Sequence, residues 1–177
     1  SPGIGGEGEI VVERRRKGEP SAYLTGQREF YGLNFCVDSR VLIPRPETEL
    51  LVEKALELAK TKYAGRHLIM ADVGTGSGAI AISLACHLPQ ARIYATDISP
   101  EALAVARINC LRHGVAERIT LLEGSLLQPL PEPVDIVVGN LPYVSRANYQ
   151  SLSREIREHE PGPALLGGED GLSLILE

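Results

Sequence analysis

Between residues 67 and 140 one pattern recurs: a short apolar run, a break rich in glycine or acid, then a stretch of helical period. The apolar runs are HLIMADV (67–73), ARIYATD (91–97), RITLLEG (118–124) and VDIVVGN (134–140). AIAISLACHL (79–88) and SPEALAVARINCLRHG (99–114) separate the first three. Strands joined by helices of that length are parallel, because the chain must cross over to re-enter the sheet from the same end. The runs are apolar almost throughout, as strands covered on both faces are. The pattern therefore predicts an α/β fold with a doubly wound, mostly parallel sheet. A sheet of four such strands leaves an edge uncovered, so further strands are expected after the chain's last residues.

Upstream the period differs. Residues 9–17 read as the end of a helix closed by Gly18. The aromatic and apolar stretch 19–38, punctuated by Gly26 and Gly32, reads as a β-hairpin with strands near 27–31 and 33–37. In VLIPRPETELLVEKALELAK (41–60), Pro46 suits a first helical turn and Glu47 and Glu49 suit its positive end. Leu50, Leu51, Ala55 and Leu58 supply an apolar face.

Composition narrows the field. The chain has 177 residues, 44% hydrophobic and 23% charged, in keeping with one globular domain. A net charge of −5 gives no bulk attraction to nucleic acid. ERRRKG (13–18) is a local basic run whose simpler reading is a solvated helix end. Cys36, Cys86 and Cys110 form no C-x-x-C pair, which points to reduced thiols and a cytoplasmic setting. The four histidines lack metal-ligand spacing, so no metal is expected. No apolar run approaches the roughly 18 residues that cross a membrane.

The first strand runs into ADVGTGSGA (71–79). Gly74, Gly76 and Gly78 let the backbone turn tightly and meet a ligand without a Cβ in the way. The helix start behind them offers N–H groups with no helical partner. Asp97 ends the second strand, where a carboxylate can accept two hydrogen bonds from a ribose diol. Together these predict a nucleoside-containing cofactor at the carboxyl ends of the strands. Gly74-x-Gly76-x-x-Ala79 also satisfies the dinucleotide fingerprint, so a nicotinamide oxidoreductase stays open. Asp72 favours S-adenosylmethionine, because a carboxylate beside the loop suits a donor's amino group and would repel a pyrophosphate.

The fourth strand ends in VVGNLPYVS (137–145). Asn140 would face the same crevice as the glycine loop, with a side-chain oxygen that accepts from N–H donors. Pro142 holds Leu141 extended and so aims its carbonyl. Two such acceptors can hold both hydrogens of a planar NH₂ group, while Tyr143 stacks on the group that bears it. The constellation calls for positioning of a weak nitrogen nucleophile beside an activated methyl donor, with no covalent intermediate and no metal.

These residues bring a family into view. DVGTGSG, ATDIS and NLPY resemble class I S-adenosylmethionine-dependent methyltransferases, Rossmann-like enzymes that modify planar amino groups. The block from Gly18 to Glu53, with IPRPETE at its most specific, closely resembles the segment before the catalytic domain of release-factor glutamine methyltransferases. EPGPALLGGEDGL (160–172) is similar to that family's stretch after the tetrapeptide. The resemblance implies methyl transfer to the side-chain amide nitrogen of the Gln in the Gly-Gly-Gln motif of peptide-chain release factors, giving S-adenosylhomocysteine. It places Gly74, Thr75, Gly76, Ser77 and Gly78 along the cofactor's methionine part and Asp97 at its ribose. It puts Ser125 and Leu126 at the adenine, Asn140, Leu141, Pro142 and Tyr143 around the substrate glutamine, and Pro44, Arg45, Pro46 and Glu47, through to Glu49, along the cleft. The family has Pro where Leu141 stands, commonly Asp at Ser125 and often an aromatic at Leu126.

The resemblance also divides the chain. Residues 1–17 are expected to be the tail of a helical substrate-binding domain, 18–40 a hairpin linker, and 41–177 a methyltransferase domain whose last strands lie beyond it. The expected partner is a release factor met by a monomer, with no membrane and no direct nucleic-acid contact. Leu at position 141 is also the form seen in ribosomal RNA adenine dimethyltransferases. An RNA or DNA adenine amino methyltransferase therefore remains the alternative, as does a binding module that has lost turnover.

Overall fold

In chain order the computed structural model, which describes residues 5–140, carries α1 (Gly5–Arg16), α2 (Ser21–Thr25), β1 (Gln27–Phe30) and β2 (Leu33–Cys36). After a 3-10 turn at Pro46–Thr48 come α3 (Glu49–Lys62), β3 (Ile69–Val73), α4 (Ala79–His87), β4 (Arg92–Asp97), α5 (Pro100–Arg112), β5 (Ile119–Glu123) and β6 (Ile136–Gly139). Local chemistry explains the boundaries. Ser99 caps α5 by accepting a 3.1 Å hydrogen bond from the Ala102 N–H, and Pro100 follows in the first turn. The hairpin reverses at Tyr31 and Gly32, with φ of 51° and 75°, the left-handed pair that a tight β-hairpin turn needs. The Tyr31 N–H donates to Glu49 Oε1 at 2.8 Å, so the first residue of α3 fastens the turn.

Two elements differ from expectation. α3 turns Val52, Ala55, Leu56 and Ala59 inward and leaves Leu50 and Leu58, expected on its apolar face, exposed. Ser21–Thr25 is helical, inside the stretch read as hairpin linker. Pro20 precedes it, and Gly26 ends it in a left-handed conformation with its N–H bonded to the Ala22 carbonyl. Five residues are too few to show a helical period.

The four strands of the main sheet lie in the order β5-β4-β3-β6, every neighbouring pair parallel. From β3 the chain winds through α4 to β4 and through α5 to β5. Both crossovers step in one direction, so right-handed connections put both helices on one face. α4 packs between α3 and α5. The chain then returns to the far side of β3 as β6. The carboxyl ends of β3 and β6 thus flank a topological switch point, where open α/β sheets bind ligands.

The main core lies between this sheet, its helices and the hairpin. Met70, Ile82, Leu84, Ile93, Val52, Phe30 and Phe35 are among its fully enclosed side chains. Each large one contributes about 1.5–3 kcal/mol by leaving water. A second cluster of Ala22, Tyr23, Val37, Val41, Ile43, Ala102 and Val105 seats the upstream segment against α5. The Tyr23 hydroxyl donates to the Val41 carbonyl at 2.6 Å. That seat matters because residues 40–44 continue directly into the wall of a cleft. Among the described residues no helix is long and apolar enough to cross a membrane.

Candidate functional site

The cleft opens at the carboxyl ends of the strands. Its lining joins four stretches distant in sequence: Arg40–Pro44 with Thr48, Gly74–Ser77 with Ala79 and Ile80, Asp97–Ser99, and Gly124–Leu126. Asn140 completes it. The glycine loop is held from below by backbone bonds. Thr75 N–H donates to the Thr96 carbonyl at 2.9 Å, and Gly78 N–H to the Thr75 carbonyl at 2.9 Å. Gly76 sits at φ +56°, and a Cβ placed on it would meet nothing within 4 Å. Open cleft space therefore begins at that backbone.

Asp97 closes β4 with both carboxylate oxygens engaged: Oδ2 accepts from Gly76 N–H at 2.9 Å and Oδ1 from Ser99 N–H at 3.0 Å. The carboxylate is half-buried and aimed across the loop. Each oxygen keeps a further acceptor site. Beside it Ile98 is exposed on the cleft wall, and Leu126 presents an apolar side chain from a left-handed backbone at φ 47°. Its carbonyl is held by the Thr96 hydroxyl at 2.9 Å.

Asp72 lies on the other side of the loop. Its side chain is turned under the first turn of α4, where Oδ2 accepts from Thr75 Oγ1 at 2.7 Å and from Ala81 N–H at 3.2 Å. Oδ1 is buried with no hydrogen-bond partner among the described residues. Burial pushes the carboxyl up to about 7, against the pull of the Thr75 and Ala81 hydrogen bonds, and the neighbouring Asp97 charge adds to the rise. The structure thus places Asp72 as a brace of the loop and not on the cleft wall, where the sequence reading put it. Alternation along β3 is the reason: it shares a face with Met70, toward the helices.

The structure brings Gly74, Thr75, Gly76, Ser77, Asp97, Ser125, Leu126, Asn140 and Pro44 to one cleft. Gly78 instead forms the hinge into α4, at φ 85°. Arg45 is half-buried with Nη1 on the Ile43 carbonyl, and Pro46 and Glu47 are exposed along the 3-10 turn. Leu141, Pro142 and Tyr143 lie outside the described residues. Asn140 follows Gly139, where a Cβ would stand 2.6 Å from Val73 Cγ2 and 3.0 Å from the Val73 carbonyl oxygen. Only glycine lets β6 approach β3 this closely, and that approach sets where Asn140 emerges. Its Nδ2 reaches Thr48 Oγ1 at 3.3 Å.

Sequence reasoning passed over Asn109. It is fully buried, and its Oδ1 accepts from Cys36 N–H at 2.7 Å. Its Nδ2 donates to the Cys36 carbonyl at 3.0 Å and the Ser77 carbonyl at 2.9 Å. One side chain so ties the hairpin to the glycine loop. A polar residue inside the apolar period of α5 was the available signal.

The lining has the chemistry of a nucleoside site: a bare glycine backbone, a carboxylate presented across it, and apolar walls from Ile80, Ile98 and Leu126. Comparisons agree in kind. A family model described as "Methyltransferase domain" matches residues 70–160. A release factor glutamine methyltransferase of Geobacter sulfurreducens is 47% identical over 163 residues, covering 92% of this chain and 55% of that protein. One of Moorella thermoacetica is 47% identical over 173 residues, covering 97% of this chain and 60% of that protein. The chain thus spans little more than half the length of these relatives. Among solved structures, the hMettl16 catalytic domain in complex with the MAT2A 3'UTR hairpin 6 aligns with a TM-score of 0.66 at 17% identity. That match covers 90% of this chain and 62% of that one, and shows the shared fold.

Proposed function

Because the chain belongs to the methyltransferase-domain family, we propose that it transfers a methyl group from S-adenosylmethionine to the side-chain amide nitrogen of a glutamine in a peptide-chain release factor. The observation that carries this reading is the position of Asn140: it emerges at the end of β6 into the same cleft as Gly74–Ser77 and Asp97. The similarity to relatives named release factor glutamine methyltransferases supports the choice of acceptor.

The cofactor, when bound, supplies an electrophilic methyl group on a sulfonium. The chain's part is to bind, orient and exclude water. Asp97, fixed by Gly76 and Ser99, would accept from the ribose hydroxyls. Gly74–Ser77 would hold the methionine part, with Asp72 bracing them from behind, and Ile98, Ser125 and Leu126 would hold the adenine. Asn140 Oδ1 would accept one N–H of the substrate carboxamide, and the motif residues Leu141, Pro142 and Tyr143, which lie outside the described residues, are assigned to the same acceptor from the sequence alone. Amide nitrogen is a poor nucleophile because its lone pair is delocalised. Holding both hydrogens aligns that lone pair, and orientation of this kind can supply up to about 7–11 kcal/mol of a barrier. Pro44, Arg45, Pro46 and Glu47 border the entry for the partner's loop.

In this reading residues 1–17 belong to a substrate-binding region, 18–40 link it to the cleft, and 41–177 carry catalysis. The protein acts as a monomer in the cytoplasm without touching nucleic acid directly. The test is to incubate the full-length protein with labelled S-adenosylmethionine and a release factor, its Gln→Ala variant, or ribosomal RNA. Label on the intact factor alone is the expected result; label on RNA would transfer the assignment to adenine.

A further inference from the structure

Thr48 stands where the 3-10 turn passes into α3, the position at which a threonine ordinarily caps a helix by accepting from the backbone. Here its side chain makes no capping bond. The preceding turn already holds Thr48 in helical dihedrals, φ −70° and ψ −19°, so the backbone is not left open there. The hydroxyl is instead directed to the cleft, where it meets the Asn140 amide nitrogen at 3.3 Å.

We propose that Thr48 is a positioning residue for the methyl acceptor: its hydroxyl decides which end of the Asn140 carboxamide faces the substrate. The proposal rests on the reading of this cleft as an amide-nitrogen methyltransferase site. A carboxamide has an acceptor oxygen and a donor nitrogen of nearly equal size, and a half-turn exchanges them. One orientation offers an acceptor to the substrate's NH₂; the other offers a second donor and repels it. With Nδ2 bonded to Thr48, Oδ1 is the free end. The holder is stiff, because a β-branched side chain on a helical backbone has few χ1 choices. It is also anchored, since the Thr48 N–H bonds the Arg45 carbonyl at 3.1 Å and the next residue, Glu49, holds the hairpin turn. The consequence is a preference for acceptors that present N–H groups, planar amides and amines, over acceptors that present only lone pairs.

The test compares Thr48→Val, which keeps the shape and loses the hydroxyl, with Thr48→Ser, which keeps the hydroxyl. In the full-length protein, the valine variant should lose about tenfold in kcat on the release factor, with cofactor Kd unchanged by calorimetry. The serine variant should recover most of that loss. Independently of turnover, the Asn140 side-chain NH₂ resonances should shift and lose exchange protection in the valine variant alone. Unchanged Asn140 resonances in Thr48→Val would overturn the proposal. So would a weakened cofactor Kd at unchanged kcat, which would make Thr48 a cofactor ligand. If the wild type methylates adenine instead, the function reading falls, while the valine-to-serine contrast on that acceptor still decides Thr48. If neither acceptor is methylated, the Asn140 resonances decide it.

Discussion

The Asn109 amide donates to the Ser77 carbonyl at 2.9 Å while the same side chain brackets the Cys36 backbone from both sides. The glycine loop and the second strand of the hairpin therefore share one buried clamp. Asn109→Ala removes three hydrogen bonds and strands one N–H and two carbonyls in the interior. We expect a loss of about 2–4 kcal/mol in urea unfolding, together with weaker cofactor binding below the unfolding transition.

Asp72 gives the fold a pH dependence of definite sign. Burial pushes its folded carboxyl up to about 7, above the ordinary value of 3.8. Between those values the native chain holds a proton that the unfolded chain has released. Its contribution to stability is thus full below about 4 and is lost as pH rises through about 7. Asp72→Asn should flatten the decline in Tm between pH 5 and pH 8, measured against the wild type under the same buffers. A decline of equal slope in both proteins would assign the pH dependence to other groups.

Asp97 should separate affinity from turnover. Removing its carboxylate with Asp97→Ala deletes the acceptor offered to a ribose and also releases the Gly76 and Ser99 amides. Cofactor Kd should rise about tenfold to a hundredfold, the range for a hydrogen bond to a charged group. At saturating cofactor, kcat should fall far less.

Gly139→Ala should cost about 1–3 kcal/mol, because the new methyl meets Val73, and one of the atoms in its way is backbone that cannot swing aside. It should also lower kcat on the release factor by displacing Asn140. Gly139→Ala with wild-type stability by calorimetry would mean that β6 has room that the packing denies.

If Asn140 holds the acceptor, as proposed, Asn140→Ala should cut turnover more than tenfold while cofactor affinity changes little. Equal losses in kcat and in cofactor binding would assign Asn140 to the donor side of the cleft.

Much of this was legible in the residues. The alternation of apolar runs and helical stretches fixed the parallel sheet, and the strand ends then placed Gly74–Ser77, Asp97 and Asn140 together, because parallel strands share one carboxyl edge. What escaped was set by tertiary contact. Asp72 sits next to the loop in sequence, but pleating turns it under α4. Asn109 lies far from the loop in sequence and shows no motif; its role exists only once α5 packs between hairpin and loop. Helix α2 is too short to carry a period and is defined by Pro20 and Gly26 at its ends. The wall at Val41–Ile43 reads as plain apolar chain until Tyr23 fastens it.

The cleft draws its lining from upstream, loop and strand-end stretches that the chain connects only by long detours. A nucleoside lodged there acts as a staple across all three. Resistance of the region around residues 19–44 to a protease should therefore rise with occupancy, above the level that the core packing and the Asn109 clamp already give it.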